Sequence, residues 1–338
     1  MKLYGGIDLH SNNCVFAICN KEGASVTRKK LPNELGAILR FLSPYKDQLT
    51  GLVVESTFNW YWLVDALIDN DYCVHLANTT AIQQYSGLKH ADDNSDASWL
   101  AEMLRLNILP TGYIYPKQER TLRDLMRKRM QLVQQSTKNL LSIQGAYMRH
   151  LSYKLNNNNI KQLTALKIEQ DFNSQNTVLA TQTNLVVMTC LKKQINAIEH
   201  SLTQQVKLRE EFQGLNSIDG IGVILALTIM LETGCINRFD KVGNYASYCR
   251  CVSGARYSNG KKKSSTNAKN GNKYLAWAFV EAANFAIRYN ITVKSYYQEK
   301  LDRTNKTVAI KTAAHKLSRA YFYVLRDQVP FDVRRAFG

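Results

Sequence analysis

The feature that most constrains the fold is a change in hydrophobic pattern near residue 113. Residues 1–112 contain short apolar runs separated by turn residues, whereas residues 113–208 have helical periodicity and contain a single glycine and a single proline. Short apolar runs predict strands, and long stretches without chain-breaking residues predict helices. We therefore predict an α/β domain over 1–112, a long helical coiled-coil arm over 113–208 and a mostly α-helical domain over 209–338.

The α/β prediction rests on alternating strand-like and helix-like segments. The segments KLYGGIDLH and NCVFAICN flank a Ser-Asn-Asn turn and predict a β-hairpin, with ASVTRKKL as a third strand. TGLVVEST is a nearly continuous apolar run, which is typical of a central strand buried on both faces. YWLVDALIDN and SDASWLAEML predict helices, and YCVHLA predicts a further strand between them.

Two long amphipathic segments predict the arm. ERTLRDLMRKRMQLVQQSTKNLLSIQGAYMRHL and NLVVMTCLKKQINAIEHSLTQQVKL carry apolar residues at helical spacing, and the polar segment LNNNNIKQL separates them. Two such helices that double back would form an antiparallel coiled coil. Because their apolar stripes need a partner, we expect a homo-oligomer, either a dimer or a tetramer.

Charge divides the chain in the same way. The formal net charge is +17, but residues 1–112 contain 9 Lys and Arg against 12 Asp and Glu, and the remaining residues contain 35 against 15. A basic excess of this size is typical of proteins that bind polyanions, usually nucleic acid, because each neutralised phosphate releases counterions.

The sequence also predicts a cellular compartment. The N-terminus lacks the long apolar run of a signal peptide, and the apolar stretch IGVILALTIML is too short to span a bilayer. These features predict a cytoplasmic protein with no membrane association. The seven cysteines include no CxxC spacing, and we interpret them as reduced thiols.

Two carboxylates fall within predicted strands. Asp8 lies inside the first strand, and Glu55 ends the buried run GLVVE. A charged group in such a position must be paired, hydrated or metal-bound. Gly6 precedes Asp8 on the same face of the strand, and we expect it to leave room above the strand for something larger than a side chain.

Two further acids, Asp93 and Asp96, lie one turn apart on a predicted helix, where like charges repel. Asp92 or Asp93 as a helix cap and a merely solvated acidic turn are alternative interpretations. Carboxylates that approach one another raise each other's pKa unless a cation neutralises them. We therefore predict that Asp8, Glu55, Asp93 and Asp96 share a site for divalent metal, which can hold a phosphodiester and activate a nucleophile.

LNSIDGIGVILALTIML, residues 215–231, has the form of a helix-hairpin-helix. Gly220 and Gly222 precede the second helix, where small residues permit close backbone approach and free amides suit a phosphate. We predict that this segment grips a nucleic-acid backbone without reading sequence. A plain helix junction with a glycine-rich turn is the alternative.

The segment YCRCVSGARYSNGKKKSSTNAKNGNKYL combines hydroxyl side chains with lysines. Its lysines are predicted to contact phosphates: Lys261, Lys262, Lys263, Lys269 and Lys273. A serine among such cations can act as a nucleophile, because the cations hold the phosphate and favour the alkoxide. The residues alone leave four candidates open: Ser253, Ser258, Ser264 and Ser265.

The six histidines show no metal-ligand spacing. We expect His10 near the acidic residues, where it can touch substrate. His315 lies in a basic helix that is expected to face solvent or nucleic acid.

In their order along the whole chain, these segments resemble the DEDD transposases of bacterial insertion sequences. The resemblance is carried by GIDLH, VVEST with the following FNWYW, DNSDASWLAE, the helix-hairpin-helix, RFDKVGNYASYC and SNGKKKSSTNAKNGNKYL. It implies a RuvC-like domain of RNase H fold over 1–112, a helical transposase domain over 209–338, and guidance by a bridge RNA.

The resemblance also implies roles for individual residues. Asp8, Glu55, Asp93 and Asp96 would bind Mg²⁺, with Asp92 as the alternative third acid. A C-terminal serine would attack a DNA phosphate and form a covalent phosphoserine that is later religated. The distance to the KNGN segment favours Ser258 as this nucleophile, and Ser253, which glycine follows directly, is the alternative.

The expected function is therefore that of a recombinase, guided by bridge RNA, that cuts and rejoins donor and target DNA without hydrolysis. A RuvC-like Holliday-junction endonuclease that uses metal-activated water is one alternative. A nucleic-acid-binding scaffold whose acids are structural is the other. Metal-dependent cleavage would separate both enzymes from the scaffold, and a covalent protein–DNA adduct would separate the recombinase from the nuclease.

Overall fold

A computed structural model of the protein describes residues 2–82, 93–252, 254–265 and 270–338. The chain forms two compact units, Met1–Tyr115 and Pro116–Gly338. The first unit is a mixed α/β sheet with helices and the second is mostly helical, as the change in pattern near residue 113 predicts. The finer division into an arm and a transposase domain stays a prediction.

The described part of the first unit contains one sheet and three α-helices. The strands are β1 (Leu3–Leu9), β2 (Asn13–Asn20), β3 (Ser25–Pro32), β4 (Leu49–Glu55), β5 (Val74–Ala77) and β6 (Thr111–Gly112). The helices are α1 (Leu35–Leu42), α2 (Trp60–Asp69) and α3 (Asp93–Arg105), and a 3-10 helix covers Ser43–Gln48. The strand order is β3-β2-β1-β4-β5-β6.

Strand directions follow the sequence pattern. β1, β2 and β3 pair antiparallel, which confirms the predicted hairpin and third strand. β1 pairs with β4 and β4 with β5 in parallel, whereas β6 pairs antiparallel with β5. The parallel pairs require crossovers, which α1 and α2 provide.

Helices cover both faces of this sheet. One face of β1 carries Ile7 and Leu9, which belong to a core cluster with Ile38 of α1 and Leu63 of α2. On the other face α3 packs against the strands, and Ala97 contacts the β2 side chains in a smaller cluster. Burial on both faces explains why the central strand reads as a continuous apolar run.

The second unit contains helices and one small sheet. The helices are α4 (Lys117–Leu151), α5 (Asn157–Lys161), α6 (Ala165–Asp171), α7 (Gln175–Val206), α8 (Glu210–Asn216), α9 (Val223–Thr233), α10 (Val242–Tyr248), α11 (Lys273–Tyr289), α12 (Ile291–Arg303), α13 (Lys306–Arg326) and α14 (Val333–Phe337). A 3-10 helix covers Ile236–Arg238. β7 (Ala255–Ser258) and β8 (Lys261–Ser265) pair antiparallel.

The two predicted long helices, α4 and α7, run antiparallel against each other. Arg129 Nη2 lies 2.6 Å from Glu199 Oε1, and Asn184 Nδ2 donates to Ser142 Oγ at 3.2 Å. Buried side chains recur at every seventh residue of α7: Thr181, Met188, Ile195 and Leu202. This spacing gives α7 one continuous seam. A coiled coil that joins several chains stays a prediction.

The apolar run IGVILALTIML forms α9, which is buried along almost its whole length. It packs with α11 and α13 in the main core of the second unit. Among the described residues, no helix is both long and apolar enough to cross a membrane. All seven cysteines are described, and none of them forms a disulfide.

Candidate active site

Asp8 and Glu55 lie side by side on neighbouring strands. Asp8 is 3% exposed, and Glu55 is half-buried. β1 and β4 pair in parallel with Ile7 opposite Val54, so the next residue on each strand is one of the two acids. Because side chains alternate between the faces of a sheet, both carboxyl groups lie on the same face. The structure therefore brings these two predicted site residues together.

Helix α3 reaches this face because Gly6 has no side chain. A Cβ atom on Gly6 would overlap the carbonyl oxygen of Ala97 and lie 2.7 Å from the backbone nitrogen of Ala101. The space above Gly6 is thus filled by the backbone of α3, which is the group larger than a side chain that the glycine was expected to admit. The close approach instead carries Asp96, the neighbour of Ala97, to the acidic face.

The carboxyl groups interact strongly. Burial, a hydrogen bond with Asp8 and the negative charges of Asp8 and Asp96 raise the pKa of Glu55 to about 7, and the charge of His10 opposes this rise. A second negative charge costs more free energy where little water is present and another carboxylate is adjacent. The protonated form of Glu55 is therefore favoured. Three predicted acids therefore form one electrostatically coupled group, which we call the acidic cluster: Asp8, Glu55 and Asp96.

His10 lies beside the acidic cluster. Its Nε2 is 3.2 Å from Asp8 Oδ2, and its side chain is 37% exposed. The backbone carbonyl of His10 accepts hydrogen bonds from the side-chain amides of Asn33 at 3.0 Å and Asn59 at 2.8 Å. These two bonds fix the end of β1, so that the imidazole is held between the carboxylate and solvent.

The remaining predicted acid begins α3. Asp93 is the first residue of the helix, one turn before Asp96. Its side chain is not among those described, and Asp92 lies outside the described residues. The choice between Asp92 and Asp93 as the third acid therefore stays a prediction.

The acidic cluster has the chemistry that a hard cation needs. Among the described residues, no three His, Cys, Asp or Glu side chains are already arranged as a metal site. The donors that do converge are carboxylate oxygens, which Mg²⁺ prefers. A cation would also remove the repulsion that raises the pKa of Glu55. The described carboxylates thus fit a divalent metal ion.

In the second unit, Ser258 lies at the tip of the β7–β8 hairpin. It is exposed, and it pairs across the hairpin with Lys261. The two residues between them, Asn259 and Gly260, have φ values of 52° and 72°. Two successive positive φ values are characteristic of the type I′ turn, for which Asn-Gly is the preferred sequence. The hairpin was not predicted, although SNGK carries its signal.

The two ends of the hairpin segment are tied together at its base. The guanidinium of Arg250 donates to the carbonyl of Gly271 at 3.0 and 2.8 Å, and the Asn272 backbone nitrogen donates to the Tyr248 carbonyl at 2.6 Å. Gly271 has a φ of 87°, and a Cβ there would lie 2.5 Å from the Tyr248 carbonyl oxygen. Glycine is therefore required where the segment closes.

The other predicted phosphate contacts are only partly described. Lys261 is exposed on the hairpin, and Lys273 is the exposed first residue of α11. The side chains of Lys262, Lys263, Ser264 and Ser265 are not described, although all four residues belong to β8. Ser253 and Lys269 lie outside the described residues. Their roles stay predictions.

Glu232 is a buried carboxylate that the sequence analysis missed. It is 1% exposed and accepts hydrogen bonds from Arg123 at 3.1 Å, from Arg127 at 2.5 and 2.8 Å, and from the Asn272 side chain at 2.7 Å. Burial alone would raise the pKa of Glu232, but the two guanidinium groups and the amide outweigh it and lower that pKa.

Asn272 extends this contact to the hairpin. Its Oδ1 accepts from the backbone nitrogens of Tyr274 and Leu275 and so caps α11. Glu232 thereby joins α4 and α9 to the residue at which the hairpin segment ends. The only sequence signal was a single acid closing the apolar helix ILALTIMLET.

The predicted helix-hairpin-helix is a turn between α8 and α9. Gly220 has a φ of 91°, and a Cβ there would lie 2.5 Å from the backbone nitrogen of Ala286 in α11. The close packing of α11 against this turn therefore explains why residue 220 is a glycine. Gly222, the N-cap of α9, is exposed, with nothing within 4 Å of a Cβ. Phosphate binding at this turn stays a prediction, and Gly222 is the residue that remains accessible.

An acidic α/β sheet joined to a strongly basic helical unit defines a protein that processes nucleic acid. A model of the DEDD transposases of the IS110 type matches residues 5–149, and a model described as the transposase IS116/IS110/IS902 family matches residues 213–298. The chain belongs to the IS110 family of DEDD transposases. A search of curated proteins finds no match.

Proposed function

We propose that this transposase cuts and rejoins donor and target DNA through a covalent phosphoserine, with Mg²⁺ at the acidic cluster and a bridge RNA as guide. The observation that carries the proposal is the convergence of Asp8, Glu55 and Asp96 on one face of the sheet. Three buried or half-buried acids would be a costly arrangement if they served only to hold the fold.

The acidic cluster acts on the scissile phosphate. Asp8, Glu55, Asp93 and Asp96 would hold Mg²⁺, which would supply Lewis-acid chemistry by withdrawing charge from the phosphoryl oxygens. Asp8 is buried and fixed by the sheet, whereas Asp96 sits on a helix that only the glycine at position 6 lets so close. His10 lies at the solvent side of Asp8 and contacts the bound strand.

Ser258 supplies the nucleophile. Its Oγ forms a bond to phosphorus while one phosphodiester P–O bond breaks, and the proton of the serine ends on the hydroxyl of the released strand. The reverse reaction, with the hydroxyl of another strand, restores Ser258 and a phosphodiester, so no water is consumed. The turn at Asn259 and Gly260 presents this serine to solvent, which suits attack on a large substrate.

Binding energy comes mainly from the second unit. It holds 35 Lys and Arg against 15 Asp and Glu, and the acids of the first unit exceed its basic residues. A basic surface of this kind contacts the phosphates of DNA and of the bridge RNA. The long α4–α7 pair provides the surface through which chains assemble into a dimer or tetramer, because its apolar side chains Leu141, Leu179 and Val186 are exposed.

The test is to trap the covalent intermediate. The full-length chain is incubated with its bridge RNA, Mg²⁺ and DNA that spans the ends of the insertion sequence, and the reaction is stopped with denaturant. We expect a protein–DNA adduct whose modified peptide contains Ser258. Ser258→Ala should bind the same DNA and form no adduct, whereas Ser253→Ala and Ser264→Ala serve as matched controls and should form it.

The alternatives give different results. An adduct on Ser253 would move the nucleophile to the other candidate. Metal-dependent cleavage without an adduct on any serine would identify a junction endonuclease that uses water. Binding without cleavage at any metal concentration would leave a scaffold with structural acids.

A further inference from the structure

A basic cavity lies in the second unit. The residues that line it are distant in sequence from the β7–β8 hairpin and from the helix-hairpin-helix turn. It has a volume of about 630 Å³ and opens between α13 and the C-terminal segment 329–336. This volume lies within the usual range of small-molecule sites, roughly 300–1,000 Å³. None of the predicted site residues lines it.

Cations line the cavity from both sides. His315, Lys316 and Arg319 lie on α13, and Arg335 lies on α14. Within the described part of the chain, Arg319 and Arg335 form no ion pair with a carboxylate, and Lys316 contacts the ring of Tyr296 at 5.4 Å. Basic side chains therefore outnumber the acids here: Asp332 lines the cavity, and Asp327 lies near enough to Arg335 for their charges to interact.

The single acid of the cavity is already engaged. Asp332 caps α14, and its carboxylate accepts hydrogen bonds from the backbone nitrogens of Arg334 at 2.8 Å and Arg335 at 3.2 Å. Burial and the nearby charges of Arg319 and Lys316 lower the pKa of His315. Burial is the larger cause, and the neighbouring cations act in the same direction.

The rest of the cavity wall is apolar and partly aromatic. Tyr323 is 37% exposed and Val329 is 39% exposed, and Pro330 and Phe331 complete this side. The ring of Tyr323 is held by the guanidinium of Arg326, 5.1 Å from the ring centroid. A flat apolar surface thus lies next to several cations.

The combination of basic side chains with an apolar, partly aromatic wall favours one class of ligand. A bare phosphate needs the cations but not the aromatic wall, and a lipid or apolar peptide needs the wall but not four basic side chains. A nucleotide needs both, because it joins an anionic phosphate to a flat base that stacks on aromatic side chains. A base within a duplex is stacked on its neighbours, so that only an unpaired nucleotide can enter a cavity.

We propose that the cavity between α13 and α14 binds one unpaired nucleotide of a nucleic-acid strand, with its phosphate on Arg319 and Arg335 and its base against Tyr323 and Phe331. The proposal rests on the proposed function only in taking nucleic acid as the polyanion. The strand is either RNA or single-stranded DNA, since both carry the same phosphate and aromatic bases.

The test measures binding and requires no cleavage. The probes are fluorescent single-stranded RNA and single-stranded DNA of about ten nucleotides and a duplex of the same length, titrated into the full-length protein over a range of salt concentrations. Arg319→Ala with Arg335→Ala should weaken single-strand binding about tenfold or more and reduce the salt slope by about one. The matched control, Lys294→Ala with Lys306→Ala, removes the same charge from exposed sites of the same unit and should change binding less than about twofold.

Stacking is tested separately. Tyr323→Leu should weaken single-strand binding by about five- to tenfold, whereas Tyr323→Phe keeps the ring and should bind as the wild type does. Photo-crosslinking with an RNA that carries 4-thiouridine should label Tyr323 or Phe331. Arg319→Lys with Arg335→Lys keeps the charge and should retain most of the affinity, and thermal melting reports whether each variant is folded.

Several results would overturn the proposal. Equal losses for single-stranded and duplex probes would indicate a general phosphate surface. Unchanged binding by a folded Arg319→Ala, Arg335→Ala variant, or crosslinks that map elsewhere, would remove the nucleotide from this cavity.

Stronger binding to RNA or to DNA would identify the source of the strand. Failure of the phosphoserine reaction would leave all of these measurements intact, because none depends on Ser258.

Discussion

Glu55 in the first unit is a half-buried carboxylate and Glu232 in the second is a buried one, and their surroundings are opposite. Glu55 faces other acids, which raise its pKa to about 7, whereas Glu232 faces two guanidinium groups and an amide, which lower its pKa. Burial raises the pKa of both, so that the neighbours decide the direction. The comparison teaches that burial by itself does not identify a functional acid.

The difference separates two roles. Glu232 is satisfied inside the protein by Arg123, Arg127 and Asn272, and it needs nothing from solution. In the free protein the carboxylates of the acidic cluster repel one another, and a bound cation would remove this repulsion. A group of repelling charges that a ligand would neutralise is typical of a functional site. A carboxylate whose hydrogen-bond partners all lie inside the protein is typical of a structural role.

The largest expected effect is on catalysis. Asp8→Asn should lower strand cleavage by about ten-thousandfold or more, equivalent to about 5 kcal/mol in the transition state, because it removes a buried carboxylate that is proposed to hold the metal. Its stability without metal should not fall, since the substitution also removes a repulsive charge. Cleavage rates with Mg²⁺, together with urea unfolding, measure both effects. Asp47→Asn, an exposed acid of the same unit, is the control, and equal activities of the two variants would remove Asp8 from the site.

A stability experiment addresses the other half of the comparison. Glu232→Gln should lower the free energy of unfolding by about 3 kcal/mol, because it removes the buried carboxylate that pairs with two half-buried guanidinium groups. Glu199→Gln, which breaks the half-exposed pair with Arg129, should cost less than about 1 kcal/mol. Glu55→Gln should be neutral or stabilising in the absence of metal. A loss at Glu55 as large as that at Glu232 would contradict the distinction between them.

The contact that builds the acidic cluster is tested by Gly6→Ala. The added methyl group overlaps the backbone of Ala97, and we expect a loss of about 2 kcal/mol in the free energy of unfolding. Because α3 must move, Asp96 moves with it, and cleavage should fall even where the protein remains folded. Gly36→Ala, on the exposed face of α1, should be neutral or slightly stabilising. Normal cleavage by a folded Gly6→Ala variant would show that the position of Asp96 is not needed.

The smallest expected effect is the pH dependence of stability without metal. The pKa of Glu55 is raised on folding, so its contribution to stability is fully present below its unfolded pKa and is lost as pH rises toward about 7. Because Glu55 is half-exposed, we expect a loss of about 1 kcal/mol. The pKa of Glu232 is lowered, so its contribution is present above its unfolded pKa and is lost only in more acidic solution.

Unfolding curves at a series of pH values measure these slopes. Glu55→Gln should flatten the slope near neutral pH, and Glu232→Gln should flatten the acidic one. Mg²⁺ should also flatten the neutral slope, because a bound cation keeps Glu55 ionised at little cost. A neutral slope that persists in Glu55→Gln would assign it to another group.

Much of the local structure followed from the sequence because strand and helix periodicity are local. The hairpin of β1 and β2, the apolar run of β4 and the two long helices α4 and α7 were predicted from spacing alone. The hairpin that carries Ser258 was not predicted, because the surrounding lysines and serines were interpreted only as phosphate contacts and candidate nucleophiles. Its Asn-Gly turn signal was present in the printed sequence.

What the sequence by itself determined was the division into an α/β and a helical half, the identity of Asp8 and Glu55 as acids in strands, and the basic excess of the second half. Only the tertiary structure decided that the group above Gly6 is a helix, that Glu232 is paired, and that basic side chains of α13 and α14 share a cavity. The physical reason is range: periodicity is set by neighbours along the chain, whereas these contacts join residues that only the packed fold brings together.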